Sequence, residues 1–89
     1  MELNPTEQRV LGALIEKEMA TPDYYPMSLN ALVNACNQKN NREPVMQLEE
    51  SDVLGAIETM RHMGLAYEIS GPQPRAPKYR HGLGRELNH

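Results

Sequence analysis

A change of rhythm at Gly64 constrains this chain more than any other feature. Over residues 51–64, Val53, Leu54, Ile57, Met60 and Gly64 recur at spacings of three and four, so one face of a helix is apolar. Gly64 stands where a helix closes on a left-handed residue, with Leu65 placed to fold back on the last turn. Beyond it the period becomes two. Leu65, Tyr67 and Ile69 alternate with Ala66, Glu68 and Ser70, which predicts a half-buried strand with the first set as its apolar side. Pro72, Pro74 and Pro77 cannot extend that strand, because each lacks a donor and fixes φ. Alternation resumes over residues 78–81, with Tyr79 on one side and Lys78 and Arg80 on the other. A helix that runs straight into a hairpin with a proline-rich, basic tip predicts the second half of a winged-helix domain. The upstream residues must then supply two helices for this one to pack against.

They do so with clear punctuation. Asn4 can cap a first helix, Pro5 suits its first position, and Glu7 can reach back to the Asn4 amide. Val10, Leu11, Leu14, Ile15 and Met19 form its predicted apolar stripe, with Gln8, Arg9, Glu16 and Lys17 elsewhere. Pro22 ends it by Ala20. Residues 21–26 read as a connector in which at least one of Tyr24 and Tyr25 covers the edge of the core. Ser28 caps a second helix, whose apolar face is Leu29, Leu32, Val33 and Cys36. The third helix begins between Glu49 and Ser51, with Glu49, Glu50 and Asp52 in its first turn, where carboxylates complement the helix dipole. The predicted fold class is mainly α with a small antiparallel β wing (α+β). It is a winged helix-turn-helix of three helices and a β-hairpin, with a short third strand near Met27. Residues 1–82 form the domain and residues 83–89 a frayed tail.

Eighty-nine residues make one domain with a modest core, and without Trp or Phe that core draws on aliphatics, six Met and some of the four Tyr. The lone Cys36 forms no internal disulfide and reads as a small buried hydrophobe. The N-terminus lacks a signal-peptide pattern, and no apolar run reaches the length of a membrane span, so a cytoplasmic location and no membrane partner are expected.

The chemistry of an enzyme is not visible. His62, His81 and His89 have no metal-ligand spacing, there is no Cys-x-x-Cys, and no glycine-rich phosphate loop follows a strand. The expectation is a non-catalytic binding domain with no cofactor and no metal. Its charge suggests where a polyanion would bind. Residues 1–70 carry five Lys/Arg against eleven Asp/Glu, whereas residues 71–89 carry four against one. The candidate nucleic-acid contacts are Arg75, Lys78 and Arg80 on the hairpin, and Lys39 and Arg42 on the polar loop after the second helix. They would neutralise phosphates without reading bases. Arg61 on the third helix is a further candidate for base contact. The carboxylates in that helix's first turn oppose it, since they would face phosphate. Double-stranded DNA is the expected partner. The alternative is a protein-interaction or dimerisation module anchored by exposed Met and Tyr, with no nucleic acid.

The run Leu14-Ile-Glu-Lys-Glu18, the long motif from Thr21 through Val45, and Pro77-Lys-Tyr-Arg-His81 resemble the YceH family of bacterial proteins over roughly residues 4–82. The resemblance implies a winged-helix fold, a bacterial cytoplasmic protein and, as in relatives of that family, a second winged-helix domain as neighbour. It also marks Asn37, Asn41 and Arg42 as a candidate shared loop site, with structural hydrogen bonding as the favoured role. DNA binding in that family is inferred from fold, which is analogy.

Overall fold

Residues 2–37, 47–69 and 77–82 are described in the structure, a computed structural model. The chain runs α1 (Pro5–Ala20), a 3-10 turn (Pro22–Tyr24), β1 (Met27–Ser28), α2 (Leu29–Cys36), α3 (Glu50–His62), β2 (Ala66–Ile69) and β3 (Lys78–His81). The strands form one antiparallel sheet in the order β1-β3-β2. Helix, short strand, two helices and a hairpin whose last strand takes the centre of the sheet is the arrangement of a winged helix-turn-helix.

Local chemistry sets most of the boundaries. The Glu7 N–H donates to Asn4 Oδ1 at 2.8 Å and the Asn4 N–H to Glu7 Oε1 at 3.0 Å, closing the expected capping box on α1. The Ala31 N–H donates to Ser28 Oγ at the start of α2. At α3 the Glu49 N–H donates to Asp52 Oδ2 at 2.9 Å, so one first-turn carboxylate has a local task. Gly64 takes φ 77°. The Leu65 N–H reaches the Met60 carbonyl and the Gly64 N–H the Arg61 carbonyl, the paired bonds of a Schellman ending. That ending turns the chain from helix into strand across three residues, Met63 to Leu65.

The three helices close on Val10, Leu14, Leu32, Val53, Ile57 and Met60, and β1 and β3 seal one side with Met27 and Tyr79. Each large apolar side chain so buried contributes about 1.5–3 kcal/mol. Leu3, Leu11, Tyr25, Leu29, Val33, Leu48 and Leu65 pack partly buried around this centre. Tyr25 therefore covers the core edge, while Tyr24 is 74% exposed.

Four expectations need correction. Met19 continues the stripe of α1 in sequence but is 79% exposed, because the helix has run past the core by its last turn. Leu54 is 37% exposed; Ala56 takes its place on the inner side of α3. Arg9, expected outside, is buried, and its Nη1 donates to the Cys36 carbonyl at 3.0 Å, supplying a donor to a C-terminal carbonyl of α2. The largest correction concerns β2. Directly paired residues share a side of the sheet, and the pairs are Ala66–His81, Tyr67–Arg80, Glu68–Tyr79 and Ile69–Lys78. Tyr79 and His81 are buried, so the inner side of β2 is Ala66 and Glu68, while Tyr67 and Ile69 lie outside. The strand lies close on α3, where the small Ala66 fits, and the bulkier residues take the open side.

Candidate nucleic-acid interface

The outer side of the β2–β3 hairpin is built by simple alternation. Lys78 and Arg80 leave β3 on the side opposite Tyr79, and the register sets Arg80 across from Tyr67 and Lys78 across from Ile69. The Arg80 guanidinium carbon lies 4.8 Å from the centre of the Tyr67 ring. Such a contact is worth about 0.5–1 kcal/mol at an exposed site and holds the planar cation in one orientation. Gly82 makes the arrangement possible. A Cβ there would lie 2.5 Å from the Gly64 carbonyl oxygen and 2.7 Å from Tyr67 Cε2, so only glycine lets the chain pass beside the ring. Among the described residues, neither Lys78 nor Arg80 pairs with a carboxylate.

The third candidate, Arg61, has a different setting. Its Nη1 lies 3.0 Å from Glu58 Oε2 and 3.4 Å from Glu68 Oε1. The cation at the C-terminal end of α3 is thus held between two acids, one on its own helix and one on the inner side of β2. The rest of the outward side of α3 presents Glu50, Asp52, Leu54 and Thr59. Glu68 and Glu58 also act on buried Tyr79. Burial first, and then these two carboxylates, push its phenol above the ordinary value of 10.0, with Arg61 opposing.

Asn37 is a structural clamp. Its Nδ2 donates to the Leu48 carbonyl at 2.8 Å, and the Leu48 N–H donates to its Oδ1 at 2.7 Å. One side chain thereby ties the end of α2 to the approach of α3. Lys39, Asn41, Arg42 and Arg75 lie outside the described residues, as does the tail 83–89.

Two arrangements went unseen in the sequence. His81 Nε2 sits 2.6 Å from Glu18 Oε1, and the His81 N–H donates to Tyr25 Oη at 2.8 Å, fastening β3 to α1 and to the connector. Burial pushes the Tyr25 phenol up from its ordinary value, partly offset by that hydrogen bond. The place of His81 beside Tyr79 in the alternation was the only signal for its burial. The stack of Arg80 on Tyr67 had no signal, because it depends on the register.

No group of three or more His, Cys, Asp and Glu side chains among the described residues is placed to hold a metal ion. No described helix is long and apolar enough to cross a membrane.

Comparison with known proteins adds relatives. A family model described as a protein of unknown function, DUF480, matches residues 3–89. A UPF0502 protein of Geotalea daltonii is 56% identical over 85 residues, which are 96% of this chain and 38% of the relative. One from Vibrio vulnificus is 59% identical over 80 residues, 90% of this chain and 36% of its own length. One from Solibacter usitatus is 55% identical over 87 residues, 98% and 42% respectively. The chain therefore spans about two fifths of the length of the curated relatives it matches.

Proposed function

The chain belongs to the DUF480 family of bacterial proteins, and on that premise we propose that it is a non-catalytic winged-helix domain that rests its wing on the phosphate backbone of double-stranded DNA. We further read it as the first winged-helix domain of a YceH-like protein, acting in the cytoplasm beside a second such domain. One observation carries the DNA reading. Arg80 is oriented over Tyr67, with Lys78 on the same outer side, and no carboxylate pairs with either among the described residues. Cations held in place and unneutralised are what backbone contact requires. Arg75, Lys39 and Arg42 complete the proposed set. Arg61 is left out of it, since Glu58 and Glu68 already hold its charge.

The test is a salt series of binding to mixed-sequence duplex. Five phosphate contacts give a slope of log K against log salt of about −4 to −5. Lys78→Ala and Arg80→Ala should each make that slope shallower by about 1. Absence of binding at low salt, or slopes untouched by both substitutions, contradicts the reading.

A second reading, an interaction module without nucleic acid, is favoured by one specific observation. The outward side of α3 combines Glu50, Asp52 and Glu58 with the part-exposed Leu54, a surface that repels phosphate. It predicts self-association or partner binding that changes little with salt, read by light scattering over a concentration series.

A further inference from the structure

The sheet order β1-β3-β2 leaves β2 at an open edge. Its hydrogen-bonding parity follows from two bonds. The Gly82 N–H donates to the Leu65 carbonyl, which makes Leu65–Gly82 a hydrogen-bonded pair in the antiparallel ladder. By alternation Tyr67 and Ile69 also spend their backbone groups on β3, and Ala66 and Glu68 do not. The His81 N–H confirms the phase: it belongs to the Ala66 pair and points away from β2, to Tyr25 Oη. The N–H and C=O of Ala66 and of Glu68 therefore point outward from the edge. Among the described residues nothing bonds to them.

A cleft of about 350 Å³ runs between this edge strand and α3, lined by Glu58, Arg61 and His62 on the helix and by Ala66, Tyr67 and Glu68 on the strand. It holds two carboxylates against one guanidinium, and the longer of the two ion pairs spans 3.4 Å. With Arg61 paired, one negative charge remains in excess on the cleft.

From these features we infer that β2 accepts an extended basic peptide as an added antiparallel strand. The open backbone groups of Ala66 and Glu68 specify an extended chain as occupant. Charge complementarity specifies its side chains. Residues placed opposite Ala66 and Glu68 share the inner side, beside Glu58 and Glu68, and there lysine or arginine fits. Residues opposite Tyr67 and Ile69 share the outer side, where apolar groups fit beside the ring and the 39%-exposed Ile69. The recognised pattern is alternating basic and apolar. The open edge and its inner side are distinct from Lys78 and Arg80, the two surfaces sharing only the side chains of Tyr67 and Ile69, and the inference does not rest on DNA binding.

The probe is a synthetic eight-residue peptide alternating lysine and valine, titrated into the 89-residue chain and followed by amide NMR. Expected are shifts and slowed exchange at the Ala66 and Glu68 amides. N-methylation of the lysines, whose N–H groups bond the edge in antiparallel addition, weakens binding about tenfold or more, while N-methylation of the valines leaves it within about twofold. A glutamate–valine peptide does not bind, and Glu58→Gln, at an exposed position that leaves folding intact, weakens the lysine peptide several-fold. The inference is overturned if the Ala66 and Glu68 amides do not respond, or if both methylated peptides bind like the parent, which would mean charge attraction alone. It is equally overturned if those amides shift with protein concentration and the peptide does not compete, because a second copy would then be the occupant.

Discussion

Arg61 and Arg80 are chemically identical and sit on neighbouring elements, yet the fold treats them in opposite ways. Arg61, at the end of α3, lies within 3.4 Å of two carboxylates. Arg80, on β3, lies over an aromatic ring and pairs with no carboxylate among the described residues. In helix-turn-helix proteins the second helix of the motif enters the major groove. Here that helix carries acids along its outward side and its cation is paired with two carboxylates, which is why the proposed DNA reading assigns phosphate contact to the wing. The same side chain is thus neutralised, or left without a carboxylate among the described residues, according to which element carries it and what the register sets beside it.

The contrast can be broken most severely at Gly82. Gly82→Ala places a methyl against the Gly64 carbonyl and the Tyr67 ring, and backbone cannot yield as a side-chain tip can. Urea unfolding should show a loss of about 1–3 kcal/mol, the usual cost of overpacking. The Tyr67 and Arg80 resonances should move while the Arg61 side chain keeps its pairing. A neutral effect on stability would mean the close approach at Gly82 is absent.

A milder change separates the two arginines without touching the core. Tyr67→Leu removes the ring under Arg80 and should weaken duplex binding about two- to fivefold, the value of an exposed cation–π contact. Unchanged affinity would show that the orientation of Arg80 carries no weight. In the opposite direction, Glu68→Gln relaxes the hold on Arg61 and removes a negative charge. Duplex affinity should rise by about threefold or less, in keeping with the small worth of exposed pairs. A large rise would return α3 to the interface.

The smallest effect is on pH. Tyr79 and Tyr25 both have phenols raised by burial. For a group raised in the folded state, the stabilising contribution is complete below the unfolded value and is lost as pH climbs through the folded one. Stability should therefore be flat with respect to these groups up to about pH 10 and fall above it. Tyr79→Phe should flatten that alkaline fall, read as urea midpoints across pH 9–11. An unchanged slope would remove Tyr79 from the account.

Much of this architecture was legible because it rests on short-range chemistry. Asn4 with Glu7, Ser28, and Gly64 with Leu65 are bonded to residues three to five positions away, and their spacing alone fixes what they do. The side of β2 that faces the core was not legible. Tyr67 and Ile69 are its larger apolar residues, yet parity is set by the bond from Gly82 to Leu65, across the hairpin. The same register creates both the Arg80–Tyr67 stack and the Arg61–Glu68 contact, so neither could be read from composition. His81 meets Glu18 across 63 positions and Arg9 meets Cys36 across 27, distances at which one sequence carries no pairing signal. Lys78 and Arg80 fall together on one side as alternation required. Asn37 clamps the backbone of Leu48 across 11 positions, again beyond the reach of local spacing.

The most direct test is amide chemical-shift mapping during titration with a mixed-sequence duplex at low salt. If the wing is the phosphate-facing surface, the largest shifts fall on Tyr67, Ile69, Lys78 and Arg80, and residues 51–61 of α3 stay within the noise. Shifts concentrated along α3, with the hairpin unmoved, would contradict the account.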